Sequence, residues 1–96
     1  MATTGPQVTL RLPSVLHMIA GASEVRAHGS TIAEVLASVF ESVPLLERHL
    51  IDAKSGQLRP HVLCVVNGAA LLREEVADAR LADGDEILIH QAISGG

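Results

Sequence analysis

The chain has 96 residues, a length that suits one domain with a single core. It is 48% hydrophobic, but Phe40 is its one aromatic residue, so the core must be built from aliphatic side chains. The formal net charge of −4 argues against a nucleic-acid-binding protein, which would need clusters of basic residues.

The first strand is predicted over residues 7–12, where polar and apolar residues alternate. This period places Val8, Leu10 and Leu12 on one buried face of a sheet. Pro13 has no N–H to donate to a neighbouring strand, and it should end the strand.

Residues 14–23 are predicted to connect the first strand to an antiparallel second strand, and a helical turn fits within them. Three apolar residues of this connection are expected to tuck under the domain: Leu16, Met18 and Ile19. The second strand is predicted over residues 24–28, with Val25 and Ala27 pointing inward.

One long amphipathic helix is predicted next. Thr31, followed three residues later by Glu34, is typical of a capping box, and Ser30 is an alternative cap. Apolar residues then recur with helical period and form one stripe: Ile32, Val35, Leu36, Val39, Phe40 and Val43. Pro44 ends this helix or begins the next turn, and residues 45–50 are predicted as a short helical extension.

A polar stretch over residues 52–60 is predicted as a surface loop. Residues 61–66 hold five successive apolar positions, which is typical of a central strand covered on both faces. Cys64 lies within this run and is expected to be a buried, inert thiol. Asn67-Gly68 predicts a tight turn, and residues 69–72 a short return strand.

Residues 73–82 are predicted to be irregular and anchored by Val76 and Leu81. The turn at residues 83–85 leads into the last strand, predicted over residues 86–90. Alternation divides this strand into two faces, with Ile87 and Ile89 on one and Glu86, Leu88 and His90 on the other.

The order β-β-α-β-β predicts a two-layer α+β domain, in which a mixed sheet of four to five strands carries the main helix across one face. We predict a folded domain over residues 1–90 and a flexible tail over residues 91–96. If the last strand lies parallel to the first in the middle of the sheet, this tail leaves one end of the domain freely.

The chain carries no pattern of a self-contained enzyme. Its five histidines lack the close spacing of metal motifs, and the acidic turn at residues 83–86 lacks the other ligands of a calcium loop. No nucleophile elbow and no Gly-rich phosphate loop is present. We therefore expect neither a metal nor a bound cofactor.

The location is predicted to be cytoplasmic. The single cysteine excludes an intrachain disulfide and suits a reducing compartment. The first residues lack the order of a signal peptide, and no apolar run approaches the roughly 18 residues needed to span a membrane.

The chain ends on Gly95-Gly96, soon after the last predicted strand. Because glycine has no Cβ, such an end is thin enough for a narrow channel and presents the α-carboxylate of Gly96 as an acyl group to be activated. A frayed terminus or a cloning scar would also explain the two glycines.

These features together resemble the ubiquitin-like sulfur-carrier family (the MoaD/ThiS type). The resemblance rests on the β-β-α-β-β order with Thr31 at the helix start, on Asn67-Gly68, on residues 81–87 and on the final diglycine. The family includes the small subunit of molybdopterin synthase, the thiamine-pathway carrier and a cysteine-pathway carrier. Residues 12–16 and the loop over residues 50–58 are most similar to the cysteine-pathway carrier, and the molybdopterin-type carriers are nearly as similar.

The resemblance implies a β-grasp fold and a protein co-substrate rather than an enzyme. An activating enzyme would use ATP to adenylate Gly96, a sulfur donor would convert it to a thiocarboxylate, and an acceptor biosynthetic enzyme would take the sulfur. Gly95 would let the tail reach, and Ser94 and Ile93 would line the channel. Leu88 is the candidate docking residue, unless a neighbouring loop covers it.

Two other functions remain open from the sequence. One is a ubiquitin-like modifier joined to lysines through Gly96, and the other is a β-grasp binding module whose glycines are incidental. The tail also departs from the family, because His90-Gln91 stands where many relatives carry proline. Since proline would stiffen the exit, this tail is expected to be more mobile or to suit a different partner.

Overall fold

A computed structural model describes residues 5–91 of the chain. The strands are β1 (Gln7–Arg11), β2 (Glu24–His28), β3 (Val62–Val66), β4 (Ala69–Ala70) and β5 (Glu86–Gln91). The α-helices are α1 (His17–Ala20), α2 (Ile32–Ser42) and α3 (Pro44–Leu50). Two 3₁₀ turns, Ser14–Leu16 and Arg73–Glu75, complete the regular structure of the described residues.

The five strands form one mixed sheet in the order β2-β1-β5-β3-β4. The central pair, β1 and β5, is parallel, and the other three neighbouring pairs are antiparallel. The predicted α+β class, the β-β-α-β-β order and the place of the last strand beside the first are confirmed. A parallel pair needs a long connection, and the whole chain between β1 and β5 supplies it.

The core lies between the inner face of this sheet and the helices. The predicted inward residues of β1 and β5 and Ala27 of β2 are buried there, Val25 of β2 is partly buried, and the apolar stripe of α2 packs on them. On this inner face the fully covered side chains include Val8, Leu10, Ile87 and Ile89. Every one of these core side chains is aliphatic or a thiol, as the single aromatic residue requires.

The start of α2 confirms Thr31 as the cap and adds a detail. The Thr31 hydroxyl accepts the backbone N–H of Glu34 at 3.3 Å, which satisfies one free donor of the first turn. The Glu34 carboxylate accepts the backbone N–H of Ser30 at 2.8 Å, one residue earlier than in a regular capping box. Ser30 therefore contributes its backbone, and Thr31 contributes the capping side chain.

Two sequence predictions are wrong. The strand β3 is covered on one face, not both, since Leu63 on its other face is 41% exposed, and β3 lies between β5 and β4 rather than at the centre. Met18 does not tuck under the domain and is 95% exposed, whereas Leu16 is buried as expected. In the first case the three helices pack on a single side of the sheet, so an apolar run alone does not show how many faces are covered.

Polar bonds join the β3–β4 turn to the start of β5. Asn67 and Gly68 both have positive φ (49° and 88°), which confirms the predicted tight turn. The Asn67 amide donates to the Asp85 carboxylate at 2.9 Å and accepts the backbone N–H of Glu86 at 2.9 Å. Asp85 also accepts the backbone N–H of Ala82 at 2.8 Å. One carboxylate and one amide thus fix where β5 begins.

We expect Asp85→Asn to destabilise the fold by about 1 kcal/mol near neutral pH, because one amide oxygen replaces the two acceptor oxygens of the carboxylate. The bond from Ala82 N–H, followed by that from Asn67, lowers the pKa of Asp85. Since the folded-state pKa lies below the unfolded value, this stabilisation is present above the unfolded pKa and is lost as the pH falls through the folded one.

Urea unfolding at a series of pH values measures this effect. The difference between the wild type and Asp85→Asn should be constant near pH 7 and shrink below about pH 4. Asp78→Asn is the matched control, because Asp78 is exposed and makes no hydrogen bond within the described part of the chain. An equal response from both variants would contradict the assignment.

Candidate functional site

The end of β5 defines where the diglycine segment begins. β5 runs through Gln91, one residue beyond the predicted strand, and there it lies opposite Val62 of β3. We call this end of the sheet the exit end. Ile93, Ser94, Gly95 and Gly96 lie outside the described residues, so their expected roles stay predictions.

An apolar area covers the outer face of β5, β3 and β4, from the exit end to the middle of the sheet. We call it the outer patch, and it consists of Leu63, Val65, Ala70, Leu72 and Leu88. Val65 on β3 lies opposite Leu88 of β5 on one side and Ala70 of β4 on the other. The candidate docking residue Leu88 is therefore exposed beside other apolar side chains, and no loop of the described residues buries it.

Leu72 joins this patch although it follows the last paired residue of β4. The N–H of Leu71 donates to the carbonyl of Cys64 at 2.9 Å, so the pairing extends and Leu72 lies beside Leu63. The backbone N–H of Leu72 is held by the Glu75 carboxylate at 3.0 Å. An ordered backbone thus presents Leu72, the most exposed leucine of the patch at 61%.

Charged residues border the outer patch on its β1 side. Arg11 lies between two carboxylates, with its guanidinium 3.0 Å from Glu86 and 3.9 Å from Glu24. All three side chains are about half exposed, so these ion pairs contribute little to stability. Arg11 also neighbours Leu88 in the register, so the apolar area meets a polar rim there. An apolar centre with a polar rim is the usual composition of a protein–protein contact.

Cys64 lies on the opposite, inner face of β3 and is buried, as predicted. Burial raises the pKa of its thiol to about 11, so the thiolate needed for nucleophilic attack is scarce at neutral pH. Between residues 5 and 91 no group of three or more His, Cys, Asp or Glu side chains is placed to hold a metal. Within the same span, no helix is both long and apolar enough to cross a membrane.

A groove of about 300 Å³ lies between α2 and the loops that precede β3 and follow β4. Its walls are mainly apolar, with Leu36, Phe40 and Leu58 among them. No hydroxyl, thiol or imidazole side chain lines it, and its two carboxylates belong to Glu47 and Glu74. Its one guanidinium, Arg73, is already committed to the carbonyl of Leu58 at 2.7 Å.

The sequence pointed to Leu88 but not to its neighbours. Leu63 belongs to a run of apolar residues that is typical of a strand buried on both faces, so its exposure is not predicted. Leu72 falls in the predicted return strand, and its face cannot be predicted because strand register is not visible in local sequence. The alternation of apolar and polar residues along β5 correctly predicts that Leu88 lies on the outer face of the sheet.

Comparison with known proteins identifies a family to which the chain is similar. A family model described as the ThiS family matches residues 10–96. A search of curated protein sequences gives no significant match.

In contrast to the curated sequences, several solved structures have the same fold as this chain. Mycobacterium tuberculosis CysO is 27% identical, with a TM-score of 0.81 over 90% of this chain and 99% of that one. A chain of the Amycolatopsis orientalis BexX/CysO complex is 26% identical, with a TM-score of 0.82 over 93% and 99%. Small archaeal modifier protein 1 from Methanosarcina acetivorans is 25% identical, with a TM-score of 0.79 over 98% and 100%. These are ubiquitin-like β-grasp proteins, so the predicted fold is confirmed.

We expect Cys64 to resist thiol reagents in the folded protein, because its sulfur is buried and its pKa is raised. Labelling with an aromatic disulfide near pH 8 should be slow in buffer and fast in urea. Leu63→Cys, in a Cys64→Ser background, is the matched control, since it places a thiol on the exposed face of the same strand. Comparable rates for the two thiols in buffer would contradict the inner-face position of Cys64.

Proposed function

Because the chain belongs to the ThiS family of ubiquitin-like sulfur carriers, we propose that it carries sulfur as a thiocarboxylate on Gly96. The observation that supports this most directly is the course of the chain. The diglycine follows within five residues of Gln91, the last residue of a central strand, and the outer patch reaches the same end of the sheet through Leu63.

The reaction needs an activated carboxylate. A carboxylate oxygen of Gly96 attacks the α-phosphorus of ATP, pyrophosphate leaves, and an acyl adenylate forms. Hydrosulfide from a sulfur donor then attacks the acyl carbon, AMP leaves, and the thiocarboxylate remains. If the donor is a persulfide, a thiol must reduce the acyl disulfide that forms first. ATP is consumed by the activating enzyme, and we propose no cofactor bound to this chain.

The tail residues suit this chemistry. Five residues, 92–96, extend at most about 17 Å from Gln91. Gly95 and Gly96 carry no Cβ, so neither hinders attack at the acyl carbon nor widens the channel that the tail must enter. We propose that Ser94 and Ile93 contact the walls of that channel.

The folded domain supplies the docking surface. We propose that the activating enzyme covers Leu88 together with Leu63 and Leu72, because an apolar area this close to the exit end would be buried whenever Gly96 reaches an active site. The acceptor would be an enzyme of cysteine-type or molybdopterin-type biosynthesis. Both steps are proposed to occur in the cytoplasm, where a lone thiol stays reduced.

A second function is supported by one of the comparisons. The similar protein from Methanosarcina acetivorans is described as a modifier protein, and conjugation would begin with the same adenylation of Gly96. In that case a lysine amine, rather than hydrosulfide, would displace AMP or a later leaving group. Higher-mass conjugates that disappear when Gly96 is deleted would favour this function.

The first test is the intact mass after incubation with ATP, sulfide and the cognate activating enzyme. We expect a gain equal to the exchange of one oxygen for one sulfur, located in the C-terminal peptide. A variant that lacks Gly96 is the control and should gain nothing. No gain in the wild type, with an activating enzyme that works on its own carrier, would refute the sulfur-carrier proposal.

The second test addresses the docking surface. Leu88→Asp should raise the KM of the activating enzyme for the carrier by about tenfold, since a carboxylate would be buried in an apolar contact, while kcat stays near the wild-type value. Thr9→Asp is the control, because it adds the same single charge to the outer face of β1, opposite Glu86 at the start of β5. Equal effects of the two variants would show general charge repulsion instead of a local contact.

A further inference from the structure

A second group of apolar side chains is exposed away from the outer patch. Val15 belongs to the 3₁₀ turn before α1, Met18 to α1 and Leu45 to the first turn of α3. We call these three residues the helical patch. Met18 is 95% exposed, although the turn that carries it is ordered: Leu16 is buried beneath it, and the His17 ring donates to the carbonyl of Leu12 at 2.9 Å.

The strand register places the helical patch at the exit end. In the parallel pair, Arg11 at the end of β1 lies opposite Leu88, three residues before β5 ends at Gln91, and the chain continues from Arg11 in the direction of Gln91. The connection that holds Val15 and Met18 therefore begins where β5 ends.

Leu45 reaches the same end through the helices. The chain leaves β2 at the opposite end of the sheet, and α2 has 11 residues, so it runs back over about 16 Å, close to the length of a strand of the sheet. The next helix, α3, begins at Pro44 and packs against α1. Leu45 is thus on the α1 side of the exit end.

The exposed large apolar residues of the described chain are unevenly distributed between the two ends of the sheet. Six large apolar side chains are exposed: Val15, Met18, Leu45, Leu63, Leu72 and Leu88. Three belong to the outer patch and three to the helical patch, and no large apolar side chain of residues 5–91 is exposed at the opposite end. Singly scattered apolar residues are normal on a surface, whereas a group around one feature marks a contact.

We propose that the enzyme that activates Gly96 contacts the helical patch in the same complex in which it covers the outer patch, so that it surrounds the exit end. This inference rests on the proposed function. The five residues after Gln91 span at most about 17 Å, so an active site that holds Gly96 must lie close to both patches.

The area that such a complex needs supports this occupant. A standard protein–protein contact buries roughly 800 Å² on each partner. The three leucines of the outer patch, none more than 61% exposed, do not supply that area alone. The helical patch is the other apolar surface next to the exit end, and the enzyme that holds the tail is already within reach of it.

The test compares steady-state activation of variants by pyrophosphate exchange. Met18→Asp should raise the KM for the carrier by about tenfold with kcat unchanged, and Met18→Leu should behave like the wild type. Ser38→Asp is the matched control, since it adds the same charge to an exposed position in the middle of α2, away from the exit end. Urea unfolding of each variant confirms that the fold is retained.

A binding measurement tests the same contact without requiring the adenylation of Gly96. Met18→Cys carries an exposed thiol while Cys64 is buried, so one fluorophore can be attached beside the exit end. We expect its emission to change when the activating enzyme is added without ATP, and to respond less when unlabelled wild-type chain competes.

The outcomes separate the two proposals. A wild type that is never adenylated overturns the proposed function. A wild type that is adenylated, with the same KM for Met18→Asp and no change in fluorophore emission, overturns only the present inference. An equal rise in KM for Ser38→Asp, or an effect of Met18→Asp confined to sulfur transfer onto the acceptor enzyme, overturns it as well.

Discussion

Leu10 on β1 and Ile87 on β5 lie side by side at the centre of the sheet, and both are fully buried. This parallel contact brings two distant segments of the chain together and fixes the direction of the last strand. Because β5 runs alongside β1, the chain leaves the sheet beside the connection that follows β1. The end of the sheet at which β5 stops, at Gln91, therefore follows from one buried pairing.

The sheet has two faces, and the helices of the chain cover only the inner one. α2 packs its apolar stripe on the inner face together with α3. The outer face has no second layer in the described chain, so its apolar residues Leu63, Leu72 and Leu88 meet solvent. A domain of this size has too much surface relative to its volume to bury all its apolar side chains. In the described chain the exposed large apolar residues extend from the middle of the sheet to the exit end.

In the proposed function, the folded domain binds the partner enzyme and the tail carries the reacting carboxylate. The domain supplies shape and an apolar surface, and its one thiol is kept on the inner face with a raised pKa. In the proposed reaction the reacting group is the α-carboxylate of Gly96, which needs no side chain of its own. On that proposal the catalysis is supplied by the partner enzyme, which recognises the domain and then acts on the carboxylate. The charged row formed by Arg11, Glu24 and Glu86 marks where the apolar contact surface stops.

The sequence by itself determined the elements and their inner faces, because local chemistry encodes them. Alternation placed Ile87 and Leu88 on opposite faces of β5, and the Asn67-Gly68 pair fixed its turn through positive φ. The family resemblance, supported by the final diglycine, then led to Gly96 as the reacting residue of the candidate site.

The tertiary structure alone decided which surfaces stayed open. Met18 and Leu63 are as apolar as core residues, and their sequence neighbourhoods give no sign that they face solvent. Whether such a side chain is covered depends on which helix packs above it and on the register between strands distant in sequence. Both are set by long-range packing of the whole chain, because burial is a property of the assembled layers and not of any local segment.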